Sequence, residues 1–278
     1  MPELTSWIGR EERVEDMVTE GPLTALAALL DHAAPPWPQG CLPPLGHWLY
    51  CLNRVAQSQL GPDGHEKRGE FIPPITLPRR MWAGGKLIFH HPIRLGAFIR
   101  RVSTIAGVSE KQGKTGQLVF VKVKHRIEDD KGLALEEEQD IVYREAAPQG
   151  GEQAGAGEAP PAEFDWQRTV TPDPVSLFRY SALTFNGHRI HYDREFCKEH
   201  EGYPGLVYHG PLTATVLVDL FLRNNPGQQV MGFSFRALAP LFDTKPFSIH
   251  GKATKQGTDL WAVTPEGRMA MKAELQVG

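Results

Sequence analysis

Hydrophobic and polar positions change their period along this chain. From Ile8 to Asp31 the apolar residues recur at helical spacing, with Glu11, Glu12, Glu15 and Asp16 on the polar side and a break at Gly21-Pro22. A second helix is predicted from Leu45 to Ala56, where Leu45, Trp48, Leu49 and Leu52 share one face. From Lys86 onward the pattern turns to β-branched and aromatic runs, at Leu87 to Phe89, Ala97 to Ile105, Gln117 to Ile127 and Ala134 to Tyr143. Glu110-Lys-Gln-Gly-Lys114 and Asp129-Asp-Lys-Gly132 separate these runs as hairpin turns.

The stretch from Glu145 to Glu163 holds Gly, Ala, Pro and Glu with nothing to bury, so it reads as a linker. It divides the chain into a first unit over 1–146, a linker over 147–163 and a second unit over 164–278. The second unit repeats the grammar of the first. Asp193 to His200 is a short helix and Pro211 to Arg223 a longer apolar one; strands follow at Gln229 to Arg236, Pro246 to Thr254, Thr258 to Thr264 and Arg268 to Gln276. Each half is therefore predicted as helix followed by antiparallel meander. A helix as apolar all round as Pro211 to Arg223 must be buried on several sides, which makes an α+β plan with a curved sheet wrapped around a central helix. The halves share little residue identity, so the repeat is one of architecture.

Charge and cysteines narrow the class. A formal charge of -3 over 278 residues argues against nucleic acid as a partner. Cys41, Cys51 and Cys197 are an odd set without a Cys-x-x-Cys, which suggests neither a disulfide framework nor a structural zinc site and fits a reducing compartment. The first residues lack the basic-then-apolar layout of a secretory signal, and the apolar run from Leu23 to Leu30 is too short to span a bilayer. A cytoplasmic protein without a membrane partner is expected.

Candidate chemistry concentrates in Tyr180-Ser-Ala-Leu-Thr-Phe-Asn186-Gly-His188-Arg189-Ile-His191, read as a strand-to-loop transition, and in Tyr208-His209-Gly210-Pro211 at the start of the apolar helix. The first segment places two imidazoles and a carboxamide within six residues. The second puts the Gly210 N–H at a helix N-terminus, where developing negative charge is stabilised, and Pro211 suits the first turn.

These segments, together with Arg80-Met-Trp82-Ala-Gly-Gly85, resemble the MaoC-like type 2 enoyl-CoA hydratases, and within them the branch of hydroxyacyl-thioester dehydratase type 2 and the mesaconyl-C4-CoA and itaconyl-CoA hydratases. The resemblance covers nearly the whole chain and implies a double hot-dog fold, with the second half catalytic and the first shaping the acyl pocket. Where type 2 hydratases read Gly-Asp-x-Asn-Pro-x-His, this chain reads Phe185-Asn186-Gly-His188-Arg189-Ile-His191, and only His191 is retained.

The implied activity is addition of water to an enoyl-CoA, in particular a short branched dicarboxylic one. His191 would be the general base, Asn186 would position water, since a carboxamide has no titratable proton, and Gly210 would hold the thioester oxygen. Substrate contacts are expected from His188, Arg189, Tyr180, Tyr208, His209, Arg80 and Trp82, with Arg79, Arg100 and Arg101 as further candidates for gripping a carboxylate. Trp37, Trp48 and Trp82 read as core or pocket lining.

Other readings of the same residues are a dehydratase of longer 3-hydroxyacyl thioesters, which needs an apolar tunnel beside 45–56, a thioesterase, and a catalytically silent acyl-CoA-binding module. His188, His191 and His209 have no carboxylate at ligand spacing in the sequence, so no metal is expected. No cofactor is expected either, because CoA belongs to the substrate. One active site per chain and a homodimer complete the expectation.

Overall fold

The computed structural model describes residues 3–113, 116–145 and 158–278. Ten strands form one antiparallel sheet: β1 (Glu11–Met17), β2 (Arg79–Phe89), β3 (Phe98–Gly113), β4 (Gly116–Asp129) and β5 (Gly132–Arg144) from the first half, and β6 (Trp166–Val170), β7 (Val230–Ala237), β8 (Phe247–Thr254), β9 (Gly257–Val263) and β10 (Met269–Val277) from the second. The order β1-β3-β4-β5-β2-β7-β10-β9-β8-β6 is the same five-strand arrangement twice, joined edge to edge. At the seam Gly84 to Ile88 of β2 pair with Arg236 to Gly232 of β7. A bulge between Trp82 and Gly84 shifts the register of β2 on β5, and the pairing with β7 begins at Gly84.

The second half carries the central helix the sequence predicts, α4 (Gly210–Asn224), with every residue from Leu212 to Leu222 buried. It packs on β6, β8, β9 and β10. Burial of a Leu or Val side chain contributes about 1.5 to 3 kcal/mol, so this apolar barrel filling dominates the stability of that half. The polar groups in the helix are satisfied internally: the Thr213 and Thr215 hydroxyls donate to the carbonyls of His209 and Pro211, and Asp219 accepts from Arg168, Arg223 and His32.

The first half departs from expectation in two places. The helix predicted over 8–31 is strand β1 followed by a shorter helix, α1 (Glu20–Leu29). Along β1 the half-buried positions Glu12, Val14 and Asp16 alternate with exposed Glu11, Arg13, Glu15 and Met17, a period of two. What tips the acidic segment into a strand is β3 opposite it, where Arg100 and Arg101 face Glu15 and Val14 and Arg101 reaches Glu12.

The helix predicted over 45–56 is a single 3-10 turn, Gly46–Leu49, flanked by Leu45 and Cys51 in left-handed backbone at φ 66 and 50. Pro43-Pro44 cannot donate the hydrogen bonds of a preceding turn, and the buried Glu137 of β5 draws His47 and Trp48 to itself. Among the described residues the first half holds no helix comparable to α4.

Two smaller elements escaped the hydrophobic pattern, namely β6 and the helix α2 (Pro174–Leu183), while the short helix predicted over 193–200 is α3 (Arg194–Glu199). The Asp129 to Gly132 turn forms as expected, with Gly132 at φ 102; of the turn predicted at 110–114, Glu110 to Gly113 are the end of strand β3, paired with Val119 to Gly116, while residue 114 and residues 146–157 of the linker lie outside the described residues. Residues 158–163 lie along the second half, where Glu158 and Glu163 pair with Lys272 and Lys252. No helix among the described residues is long and apolar enough to cross a membrane.

Candidate active site

The end of α2 meets the start of α4, and one loop of the first half lies on the turn that follows α2. α2 begins at a capping box, in which the Asp173 carboxylate accepts from the Val175 and Ser176 N–H groups and Ser176 closes back on Asp173. It ends at Thr184, whose hydroxyl donates to the Tyr180 carbonyl at 2.8 Å, and Phe185 then takes a left-handed conformation at φ 49. The predicted strand-to-loop transition is thus a helix-to-loop one. The turn returns the Asn186 N–H to the Ser181 carbonyl at 2.8 Å and leads into the single turn Arg189–His191.

His191 is buried, and its Nδ1 lies 2.8 Å from the Val207 carbonyl. A carbonyl only accepts, so the proton sits on Nδ1 and Nε2 keeps its lone pair. Burial pushes this imidazole down to about 4, against the Val207 carbonyl and with the help of His65, so it is neutral at neutral pH. His209 lies flat against it, ring centroids 3.6 Å apart at 18°. His209 Nε2 meets the Ser181 hydroxyl at 2.9 Å, its Nδ1 is buried without a partner among the described residues, and burial next to His191 holds it well below the ordinary imidazole value.

Tyr180 stands edge-on to His209 at 5.0 Å, and Tyr208 edge-on to Phe247. Both phenols are buried and pushed up by desolvation, so they form wall rather than proton carriers. Gly210 opens α4, and its N–H meets no acceptor among the described residues. That free donor at the positive end of a buried helix is suited to an oxygen that gains charge.

Asn186 is half-buried; its Oδ1 accepts the His188 N–H at 3.0 Å, which leaves the amide NH2 as its unused end. The His188 ring stands edge-on to His191 at 5.4 Å and is strongly pushed toward the neutral form by burial, then by His65, His191 and Arg80.

The arginines separate clearly. Arg189 faces outward, bonded to Asp193 through Nε and Nη2 at 3.0 and 2.7 Å and lying over Phe196. Arg79 pairs with Glu201, Arg100 with Glu128 and Arg101 with Glu12. Arg80 alone of these has no carboxylate partner among the described residues; it is half-buried and its charge bears on His65 and His188. The Trp82 carbonyl approaches Gly210, 3.9 Å from where a Cβ would stand, and its indole meets Trp48 at 5.0 Å and Phe235 at 5.9 Å. Trp37 lies apart, edge-on to His32.

Three residues of the site were not singled out from sequence: Ser181, Asp63 and His65. The pair sits in Gly61-Pro-Asp63-Gly-His65, where two glycines and a proline mark only a turn. Its ring-to-ring approach to His188, 4.0 Å between centroids, comes entirely from docking of the halves. Folding therefore supplies the carboxylate that sequence spacing lacks: Asp63, His65 and His188 bring potential ligand atoms within 4.8 Å of one another. Asp63 Oδ2 is already engaged by His65 Nδ1 at 3.2 Å, which marks a carboxylate–imidazole pair.

A neutral imidazole with a free lone pair, oriented by the Val207 carbonyl and stacked on His209, a half-buried carboxamide nearby and a helix N–H without an acceptor among the described residues form a site for adding or removing water beside a carbonyl. The comparisons agree with this chemistry. Residues 45–243 match the family hydroxyacyl-thioester dehydratase type 2. The mesaconyl-C4-CoA hydratase of Chloroflexus aurantiacus is 48% identical over 275 residues, covering 98% of this chain and 97% of that protein. Among solved structures, a MaoC-like dehydratase from Phytophthora capsici superposes with a TM-score of 0.70 at 14% identity, over 97% of this chain and 95% of the other. A protein of Mycobacterium tuberculosis described as a double hot-dog fold does so with 0.58 at 14% identity, over 97% and 96%. The chain is a double hot dog and belongs to the hydroxyacyl-thioester dehydratase type 2 family, as a hydro-lyase.

Proposed function

We propose that the protein reversibly hydrates a short branched dicarboxylic enoyl-CoA, mesaconyl-C4-CoA or itaconyl-CoA, to citramalyl-CoA. The observation that carries the acyl group is Arg80, a half-buried guanidinium without a carboxylate partner among the described residues, beside the imidazole cluster. A free substrate carboxylate is its natural partner. The similarity to a mesaconyl-C4-CoA hydratase supports the same reading. A long acyl chain is disfavoured, because Trp48, Trp82 and Phe235 pack ring against ring beside the 45–56 segment, where a tunnel would have to run.

In this reading His191 Nε2 removes a proton from water as the oxygen bonds to Cβ. The Asn186 amide orients the water, and the Gly210 N–H receives the charge that moves to the thioester oxygen. His209, stacked and neutral, fixes the His191 ring. A base so placed contributes about 10² to 10⁴ in rate, and His191→Ala is expected to lose that factor.

Initial rates on mesaconyl-C4-, itaconyl-, crotonyl- and octenoyl-CoA, followed by loss of the enoyl-thioester absorbance, test the assignment. Preference for the dicarboxylates is expected, with Arg80→Gln raising their KM about 10- to 100-fold, the loss of one charge-assisted bond, and sparing crotonyl-CoA. Equal or better turnover of octenoyl-CoA, or an Arg80→Gln effect shared by all four, would rule it out.

A further inference from the structure

Besides Arg80 and Trp82 of β2, the first half brings one loop to the site, and the loop is built to dock. Gly61 N–H donates to the His65 carbonyl at 2.7 Å, and Gly64 takes a left-handed conformation at φ 87. Three contacts seat it on the His188 turn. The Arg189 N–H donates to the Asp63 carbonyl at 2.9 Å, the Arg189 guanidinium to the Pro62 carbonyl at 3.1 Å, and a Cβ on Gly64 would stand 1.9 Å from the Gly187 oxygen. Only glycine fits there.

This docking sets Asp63, His65, His188 and His191 in file across the two halves. Asp63 Oδ2 lies 3.2 Å from His65 Nδ1, and Asp63 Oδ1 also accepts the His65 N–H at 3.1 Å. The His65 ring stands 4.0 Å from that of His188, and His188 stands 5.4 Å from His191. A carboxylate on Nδ1 fixes the tautomer and leaves Nε2 to titrate, the arrangement that makes an imidazole an effective proton carrier.

We propose that the Asp63–His65 pair, contributed by the first half, is the positioning element of a second acid–base unit: acting through His188, it supplies the Cα proton during hydration and takes it back in the reverse reaction, an exchange for which Asn186 has no proton. The inference rests on the hydratase reading above. In hydration the water oxygen bonds to Cβ and the water proton passes to His191 Nε2. The π pair moves to Cα, where the C–H bond forms with a proton from the His188 imidazolium, and His65 reloads His188. Return of the proton from His191 along the file restores the starting state. One water is consumed and no other reagent is needed.

The groups facing the pair account for when it is loaded. Burial, Arg80 and Arg68 oppose a proton on His65, while Asp63 favours it; burial above all, and then His65, His191, Arg80 and His209, oppose one on His188. A substrate carboxylate on Arg80 would lift part of that opposition, so proton loading would follow binding.

His65→Asn and Asp63→Asn test the assignment on whichever enoyl thioester the wild type hydrates fastest, so an error in the acyl group is read separately from the substrate panel. Each is expected to lower kcat about 10²-fold with KM little changed, to remove one limb of the pH profile of kcat, and to slow deuterium wash-in from solvent at Cα. His65→Gln replaces His65→Asn if the latter fails to fold. An unchanged kcat overturns the proposal. So does a fall in kcat with both limbs and wash-in retained, which marks a structural loop, and so does wild-type activity that is lost to a chelator and restored by zinc, which makes the same side chains metal ligands.

Discussion

The two halves share one strand order and fill it differently. In the second, an apolar helix occupies the concave face of the sheet, and its first residue offers a free N–H. In the first, the corresponding space holds a single turn, the Trp48 and Trp82 rings and a buried ionic group in which Glu137 accepts from Trp48 at 2.9 Å and Gln139 at 3.0 Å and meets His47 at 3.1 Å. An apolar filling gives strength that tolerates trimming. An ionic filling depends on every member, since one removed partner leaves a desolvated charge or donor behind.

The sharpest way to break the contrast is to cut both fillings. Glu137→Ala leaves the Trp48 and Gln139 donors and His47 without their acceptor and is expected to cost about 3 to 5 kcal/mol, with loss of the Trp48 to Trp82 packing that lines the site. Leu217→Ala in α4 removes comparable volume from a wholly buried position and is expected to cost about 2 to 5 kcal/mol. Denaturant melts check both. The comparison would fail if Glu137→Ala were neutral, as expected of an exposed residue.

Next in size is the response to acid. His125 in the first half and His191 in the second are both held at about 4 by burial, and His65, His188 and His209 also lie below the ordinary value. The unfolded chain binds protons on these rings first, so stability is full above about pH 6.5 and falls as pH drops toward 4, by about 1.4 kcal/mol per pH unit for each ring that titrates only on unfolding. Glu137 is held down at about 2: burial alone would raise it, and His47 and His125 outweigh that. Its contribution is present above about 4.5 and is lost from there toward 2. Thermal melts from pH 8 to 4 should therefore show a plateau and then a steep decline, made shallower by His125→Gln. A flat profile through pH 5 would contradict the burial of these rings.

The smallest test compares the two helices that follow β1 and β6. α2 has its side-chain cap at Asp173, whereas Thr19 before α1 makes no such bond and contributes only its carbonyl, to the Tyr50 hydroxyl. Asp173→Ala is expected to cost about 1 kcal/mol and Thr19→Ala almost nothing, read as a difference in Tm. Equal losses would mean that the cap is idle.

Legibility from sequence followed the same division between the halves. α4 and the second meander could be read directly, because unbroken apolar runs have one destination. β1 could not, because Glu11 to Asp16 carry a helical charge pattern that only the facing Arg100 and Arg101 convert to a strand. Nor could the collapse of the 45–56 helix, since Glu137, which competes for His47 and Trp48, lies about ninety positions away. At the site, His188, His191, His209 and Gly210 are near enough in sequence to appear as a pattern. Asp63 and His65 become visible only when the Gly64 backbone meets Gly187. Local chemistry is legible; chemistry made by docking is not.

The seam between β2 and β7 bears on how such a molecule can change. A single five-stranded unit ending in that open edge would satisfy it by meeting a second copy, and both copies would then be bound to remain alike. Once the edges are joined within one chain, each unit guards the other's exposed backbone whatever its interior becomes. Substitutions that would ruin a self-associating unit, such as an ionic filling in place of a helix, become tolerable in one half while the other keeps its central helix. Inheritance of the fold and inheritance of the activity are thereby uncoupled.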